Sequence, residues 1–351
     1  MKNEFKGGRR IDDWRPEDEQ FWENGGKQVA SRNLWISIPA LLLAFSVWVI
    51  WSVIVVRMPE VGFQFDKAQL SWLVALPALS GATMRIFYSF MVPIFGGRRW
   101  TAISTASLLI PTIWLGFAIQ NPDTTFTTFA IIALLCGLGG ANFSSSMSNI
   151  SFFYPKSKQG TALGLNAGLG NLGVSVSQFV IPAVIGFSLF GALAGEGQMT
   201  ESGKVLYLQN AAFVWVIPIA IMTVLAWFGM NDLSGAKASF KEQSVIFGRQ
   251  HTWIMCILYL ATFGSFIGFS AAFPMVIKQS FPDVDPLKVA FLGPLVGALF
   301  RPVGGWLADK IGGARVTFWV YVVMAISVVA VMFFLKMGNF IGYFVGFMLL
   351  F

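Results

Sequence analysis

Leu79-Ser-Gly81-Ala82-Thr-Met-Arg85 and Leu295-Val-Gly297-Ala298-Leu-Phe-Arg301 are one string written twice, 216 residues apart. A glycine pair follows each arginine at the same spacing, Gly96-Gly97 after Arg85 and Gly312-Gly313 after Arg301. Both copies of L-x-G-A-x-x-R lie inside strongly apolar runs, so the chain is a duplication with one embedded cation per half. A guanidinium at the centre of a bilayer costs at least roughly 2.5–3.5 kcal/mol, and charges placed there usually face a cavity and mark a substrate path. Bearing that cost twice predicts an anion site between the halves.

The surrounding composition sets the fold class. At 56% hydrophobic and 12% charged residues, with a mean hydropathy of +0.68, the chain is an all-α integral membrane protein and not a soluble domain. The net charge of +7 does not indicate nucleic-acid binding, because the basic residues fall in short runs between apolar spans, where Lys and Arg set membrane orientation. Cys136 and Cys256 stand in separate apolar segments without neighbours at metal-ligand or redox spacing, so neither a disulfide nor a metal site is expected. The first 33 residues mix seven basic with seven acidic side chains, unlike a signal peptide, and are expected to stay as a cytoplasmic tail.

A spanning helix needs about 20 mostly apolar residues. That criterion picks out segments near 34–56, 69–95, 101–119, 128–153, 161–194, 210–231, 252–277, 287–308 and 315–336. A tenth begins near 339 and stops at Phe351 after too few residues to cross, so the sequence is expected to continue in the parent protein by about a hundred residues. With the N-terminus inside, one face collects sixteen Lys and Arg and the other six, which orients the chain. The polar stretch 232–251 separates a six-helix bundle at 34–231 from an incomplete second bundle at 252–351. A second repeat agrees: Trp35-Ile36 precedes Phe45 as Trp253-Ile254 precedes Phe263. Two equivalent halves of this kind are the plan of parallel-repeat transporters.

Two motifs carry the chemistry. Gly304-Gly305-Trp-Leu307-Ala-Asp309-Lys310-Ile-Gly312-Gly313-Ala-Arg315, at the end of the eighth span, resembles the loop signature of the major facilitator superfamily. Its partner Phe95-Gly96-Gly97-Arg98-Arg99 keeps the glycines and the basic residues but has Pro93 where the aspartate would stand. Asp309, with Arg315, therefore reads as a conformational latch present in one loop only. The fifth span contains Gly164-Leu-Asn166-Ala167-Gly168-Leu-Gly170-Asn171-Leu-Gly173. Its G-x-G-x-x-G subset lacks the strand before and the acid after that a dinucleotide site needs. Gly164 and Gly168 fit a small-residue face for close helix packing, whereas Asn166 and Asn171 are costly in a span unless they bond across helices or to a ligand.

That fifth-span string, with the two intramembrane arginines, Ser89-Phe-Met-Val-Pro-Ile-Phe-Gly-Gly-Arg-Arg-Trp100, Ala141-Asn-Phe-Ser144, and the stretch from Tyr259 to Ser270, resembles the nitrate/nitrite porter family of the major facilitator superfamily. The resemblance implies two pseudo-symmetric six-helix bundles, with C-terminal spans truncated here, in a bacterial inner membrane. It also implies a multi-pass monomer that exchanges nitrate and nitrite by alternating access. Arg85 and Arg301 would clasp the anion, Phe143 would stack on its plane, and Tyr259 and Asn171 would hydrogen-bond it. Phe45 and Phe263 would line or gate the path, with Gly164, Gly168 and Asn166 beside it. For any one phenylalanine, ordinary packing is an equally good reading, since the chain has 35.

The chemistry is consistent by itself. Nitrate is flat and singly charged, and a planar guanidinium fork matches its edge better than the point charge of lysine. Snorkelling to the headgroups is the competing reading of each arginine, but Arg85 lies about ten residues, roughly 15 Å along a helix, from the end of its span. No Asp, Glu or His lies inside the nine complete spans, so the sequence offers no proton relay there and exchange is the simpler mechanism. A carrier of another inorganic or phosphorylated anion, a nitrate/proton symporter and a non-transporting sensor are the alternatives. No nucleophile motif, metal cluster or cofactor loop points to an enzyme.

Overall fold

A computed structural model describes residues 9–191 and 195–351. Among these, nine helices are long and apolar enough to cross a membrane: α1 (Glu19–Val61), α2 (Lys67–Phe95), α3 (Gly97–Ala118), α4 (Phe126–Phe153), α5 (Lys156–Val184), α6 (Asn210–Gly229), α7 (Gln250–Ser280), α8 (Pro286–Ile311) and α9 (Gly313–Lys336). A shorter apolar helix, α10, covers Phe340–Leu350. The helices start where side chains satisfy their free N–H groups. Asp66 accepts from the Gln69 N–H at 2.7 Å while Gln69 accepts from the Asp66 N–H at 3.0 Å, a reciprocal cap for α2. Thr125 caps α4 through the Thr128 N–H.

The fifth span is shorter than its hydropathy suggested. The helix ends at Val184, and the apolar residues that follow, including Phe187 and Leu189, belong to a loop. A helix of 29 residues already exceeds the bilayer thickness, so nothing requires it to continue. The loop carries a small hairpin of β2 (Gln198–Met199) and β3 (Val205–Leu206). Residues 192–194, at the far end of the predicted span, lie outside the described part.

Within the first half α4 packs along α2, and α1 packs against α4 and α5; α5 also runs along α8, which joins the two halves. Glycines make these approaches possible. A Cβ on Gly139 would strike the Ala44 carbonyl, and one on Gly140 would strike the Trp48 indole. Two joints confirm the duplication in three dimensions. Gly96 ends α2 with φ +96° and Gly312 ends α8 with φ +93°, a left-handed turn at the same place in each half that only glycine adopts without strain. Likewise Trp35 and Trp253 are 57% and 55% exposed, while Phe45 and Phe263 ten residues on are 0% and 2% exposed. Repeat partners therefore play matching roles.

The polar ends are also tied together. The strand β1 (Arg10–Ile11) pairs in parallel with β4 (Asp232–Leu233), so the tail is stitched to the segment that follows α6. Asp232 is buried there and carries the charge that the first loop motif lacks. Its carboxylate accepts from the Arg98 N–H at 2.9 Å and from Arg98 Nε at 3.2 Å, with Arg99 Nε at 3.8 Å. The aspartate absent at Pro93 is thus supplied from the far end of the bundle, onto the N-terminus of α3, where negative charge is favoured.

Candidate anion-binding site

Arg85 leaves α2 toward the middle of the protein and is fixed by one edge. Its Nε donates to the Gly140 carbonyl at 2.9 Å, and one terminal nitrogen, Nη2, is buried without any partner. The guanidinium lies 4.4 Å from the centre of the Phe263 ring, 5.1 Å from Phe143 and 5.2 Å from Trp48. Arg301, from α8, lies 4.8 Å from the same Phe263 ring and 5.3 Å from Phe266. Both cations are within 5 Å of one ring, so their carbons are no more than about 9 Å apart. Among the described residues neither guanidinium has a carboxylate within 4 Å. Two cations converge without a counter-charge.

The rings form a box around them. Phe143 stacks on Phe263 at 4.9 Å, Tyr259 stacks on Phe263 at 5.1 Å, and Phe45 meets both Phe143 and Phe263 edge-on at 5.9 and 6.1 Å. The ring faces carry negative potential and partly screen the arginines. A π-helical turn at Leu260–Gly264 places Tyr259 and Phe263 in one stack. Asn171 of α5 is fully buried, and neither its amide nitrogen nor its amide oxygen has a partner. It shares a helical face with Ala167 and Val174, which pack into the cluster that contains Phe45, Phe143 and Phe263. An unpaired buried amide costs about 1–3 kcal/mol, a cost that a polar ligand would remove.

Arg85, Arg301, Phe143, Tyr259, Phe45 and Phe263 come together, and Asn171 lies on the face that joins them. Gly164 and Gly168 do not line an opening. A Cβ at Gly168 would lie 2.6 Å from Pro302 Cδ and 2.8 Å from the Ala298 carbonyl, so these glycines form the seam with α8. Asn166 faces the first bundle, donating to Ser146 Oγ at 2.9 Å. Five residues along a helix is 140° of rotation, which is why Asn166 and Asn171 cannot share a face. Asp309, expected as a latch, is held by N–H and hydroxyl donors and not by a charge. Asp309 accepts from the N–H groups of Gly160 at 3.1 Å and Thr161 at 2.8 Å and from the Thr161 hydroxyl at 2.7 Å. Arg315 makes no ion pair among the described residues.

Trp48, Phe266 and the Gly140 carbonyl are parts of the site that sequence reasoning did not single out. For Gly140 a signal existed, since Gly137, Gly139 and Gly140 crowd one short stretch of α4 immediately before Phe143.

Residues 36–351 match the sequence model of the Major Facilitator Superfamily. The chain is 53% identical over 356 residues to the nitrate/nitrite transporter NarU of Escherichia coli (strain K12), an alignment that covers 100% of this chain and 77% of that protein. The chain belongs to the nitrate/nitrite porter family of this superfamily. A probable nitrate/nitrite antiporter, NarK2 of Thermus thermophilus, is 47% identical over 88% of this chain and 71% of its own length. Among solved structures the xylose transporter XylE from E. coli, in a partially occluded inward-open conformation, superposes with a TM-score of 0.62 over 92% of this chain and 83% of that chain at 14% identity, which shows the shared fold. In this fold the seam of α5 and α8 is the contact that joins the two halves.

Proposed function

We propose that this protein exchanges nitrate for nitrite across the bacterial inner membrane as a monomer, with its N-terminal tail in the cytoplasm, and that Arg85 and Arg301 hold the anion between them. The observation that carries the reading is the pair of converging, uncompensated guanidiniums, one from each half. Without an anion they repel and keep the halves from settling; with one bound, the net charge of the pair drops and the halves close over it. Tyr259 and Asn171 supply donors, Phe143 stacks against the plane of the ligand, and Phe45 and Phe263 close the path above and below it. The ring of Phe263, in contact with both cations, screens them while the site is empty and gives way when the anion enters. The relatives named for nitrate and nitrite support the substrate, and the sixteen-to-six division of Lys and Arg supports the orientation.

Proteoliposomes loaded with labelled nitrate test this. Efflux is expected to be slow into anion-free buffer and fast when nitrite is added outside, with no coupled pH change. Rapid efflux without an outside anion, accompanied by proton movement, overturns exchange. Phosphate is expected to leave the efflux unchanged.

A further inference from the structure

At the end of the protein that carries the tail, α1, α5 and α8 enclose a cavity of about 480 Å³ that has no part in the anion site. Lys27, Lys158 and Lys310 all line it. Two of these ammonium groups are held by indoles: Lys158 Nζ lies 5.4 Å from the centre of the Trp22 ring and Lys310 Nζ 4.0 Å from that of Trp306. None of the three lysines forms an ion pair among the described residues. Asp309 is the one acid in the lining, and its carboxylate is already taken by Gly160 and Thr161. Leu34, Ala162 and Leu165 form apolar wall. A second groove of about 610 Å³ shares Lys27 and Ser31 with the first and extends it along α1 past Glu23 and Arg32 to Trp35, which is exposed.

We propose that this cavity binds the headgroup of an anionic phospholipid, with the phosphate among Lys27, Lys158 and Lys310 and the glycerol and first acyl carbons along the apolar wall. Three features select that ligand. The cluster has an unpaired excess of positive charge, which matches a headgroup of net negative charge and not a zwitterionic one. It sits at the polar ends of three membrane-length helices, where basic pockets meet acidic lipid. Trp306, 47% exposed, places an indole beside Lys310 at this end, as at a membrane interface. A free phosphate would gain nothing from the apolar wall or from the groove that leads to Trp35. Tyr154, also in the lining, offers its hydroxyl as a hydrogen-bond donor to the phosphate oxygens. The cavity touches both α5 and α8 beside Asp309, so a lipid seated there ties the two halves together at this end. The inference does not depend on which anion the central site carries.

Native mass spectrometry of the full-length protein against phosphatidylglycerol, phosphatidylcholine and inorganic phosphate tests it. Lysines near a lipid surface attract anionic headgroups, so the wild type is expected to retain phosphatidylglycerol at least about tenfold better than phosphatidylcholine. The K27Q/K158Q/K310Q variant is expected to lose that preference while nitrate still raises its unfolding temperature. Equal retention of the two lipids by the wild type overturns the proposal, and so does an unchanged preference in the variant. Displacement of phosphatidylglycerol by millimolar inorganic phosphate overturns it in favour of a free anion. If the variant fails to fold, the wild-type comparison of the two lipids and the phosphate competition decide the matter alone.

Discussion

Adding one methyl group to the seam between the halves has a calculable cost that depends on where it is added. At Gly168 the new Cβ would lie 2.6 Å from Pro302 Cδ and 2.8 Å from the Ala298 carbonyl, where ordinary contact begins at 3.4 Å. The carbonyl is backbone and Pro302 is a rigid ring inside α8, so neither can turn aside and the seam must open by about 0.6–0.8 Å. Overpacking of this kind costs about 1–3 kcal/mol, against a gain of about 1 kcal/mol from replacing a helical glycine with alanine. Gly168→Ala should therefore lose about 1 kcal/mol, and up to about 2 kcal/mol. Gly164→Ala is the matched comparison, because its nearest neighbours are at 3.1 and 3.3 Å and need yield only slightly; there the two terms cancel. Pro302 adjoins Arg301, so opening the seam at Gly168 also moves that guanidinium away from Arg85. Losing about 1.4 kcal/mol of anion hold corresponds to a tenfold weaker affinity. Thermal unfolding of the purified protein and nitrate/nitrite counterflow in proteoliposomes read the two effects. A Gly168→Ala protein as stable and active as wild type, or a Gly164→Ala protein worse than it, refutes the reasoning.

Arg301→Lys removes a fork of donors and contacts with the Phe263 and Phe266 rings, and counterflow is expected to fall at least about a hundredfold, from roughly 3 kcal/mol of lost charge-assisted bonding. Asn171→Leu replaces an amide with no partner; the ligand-free protein is expected to gain about 1–2 kcal/mol in thermal unfolding while nitrate binding by calorimetry weakens. Asp232→Ala leaves Arg98 buried and unpaired, since the pair is only 7% and 10% exposed, and is expected to cost about 3–5 kcal/mol in the same unfolding assay. The Ser234 hydroxyl and Arg10 hold the Asp12 carboxyl below its ordinary range, so its share of tail docking is complete above pH 3.8 and is lost as pH falls through the lower folded value. Protease nicking after residue 12 should increase only on the acid side of that point, and Asp12→Asn should show the increase at neutral pH.

The architecture was legible because membrane spans announce themselves by composition and because the duplication fixes two arginines at one register. Phe45 and Phe263 were legible for the same reason, as repeat partners that meet at the junction of the halves. Three things were not. The fifth span was overdrawn past Val184, since hydropathy cannot tell an apolar loop from a helix end. Asn166 was grouped with Asn171 by proximity in sequence, though the 140° between them sends one into the first bundle and the other to the ring cluster. The charge opposite Arg98 was sought within its own loop motif, whereas Asp232 arrives from the other end of the bundle, a partnership between residues 134 positions apart that no local pattern encodes.

The stitch between Arg10-Ile11 and Asp232-Leu233 also fixes where the protein can bend. Because the first strand and the last are fastened to each other, a pull from the second half reaching Leu233 is met by the tail as well as by α6, and the whole first bundle moves as a body. Slack must then come from the parts of Ser234 to Arg249 that are not held on α2: Phe240 and Phe247 pack on Phe90 and the Ala238 N–H donates to the Pro93 carbonyl, whereas Gly235 and Gly248 have no neighbouring atoms around the position of a side chain. That stretch is the leash of the machine, and shortening it should limit how far the halves can swing without touching either arginine.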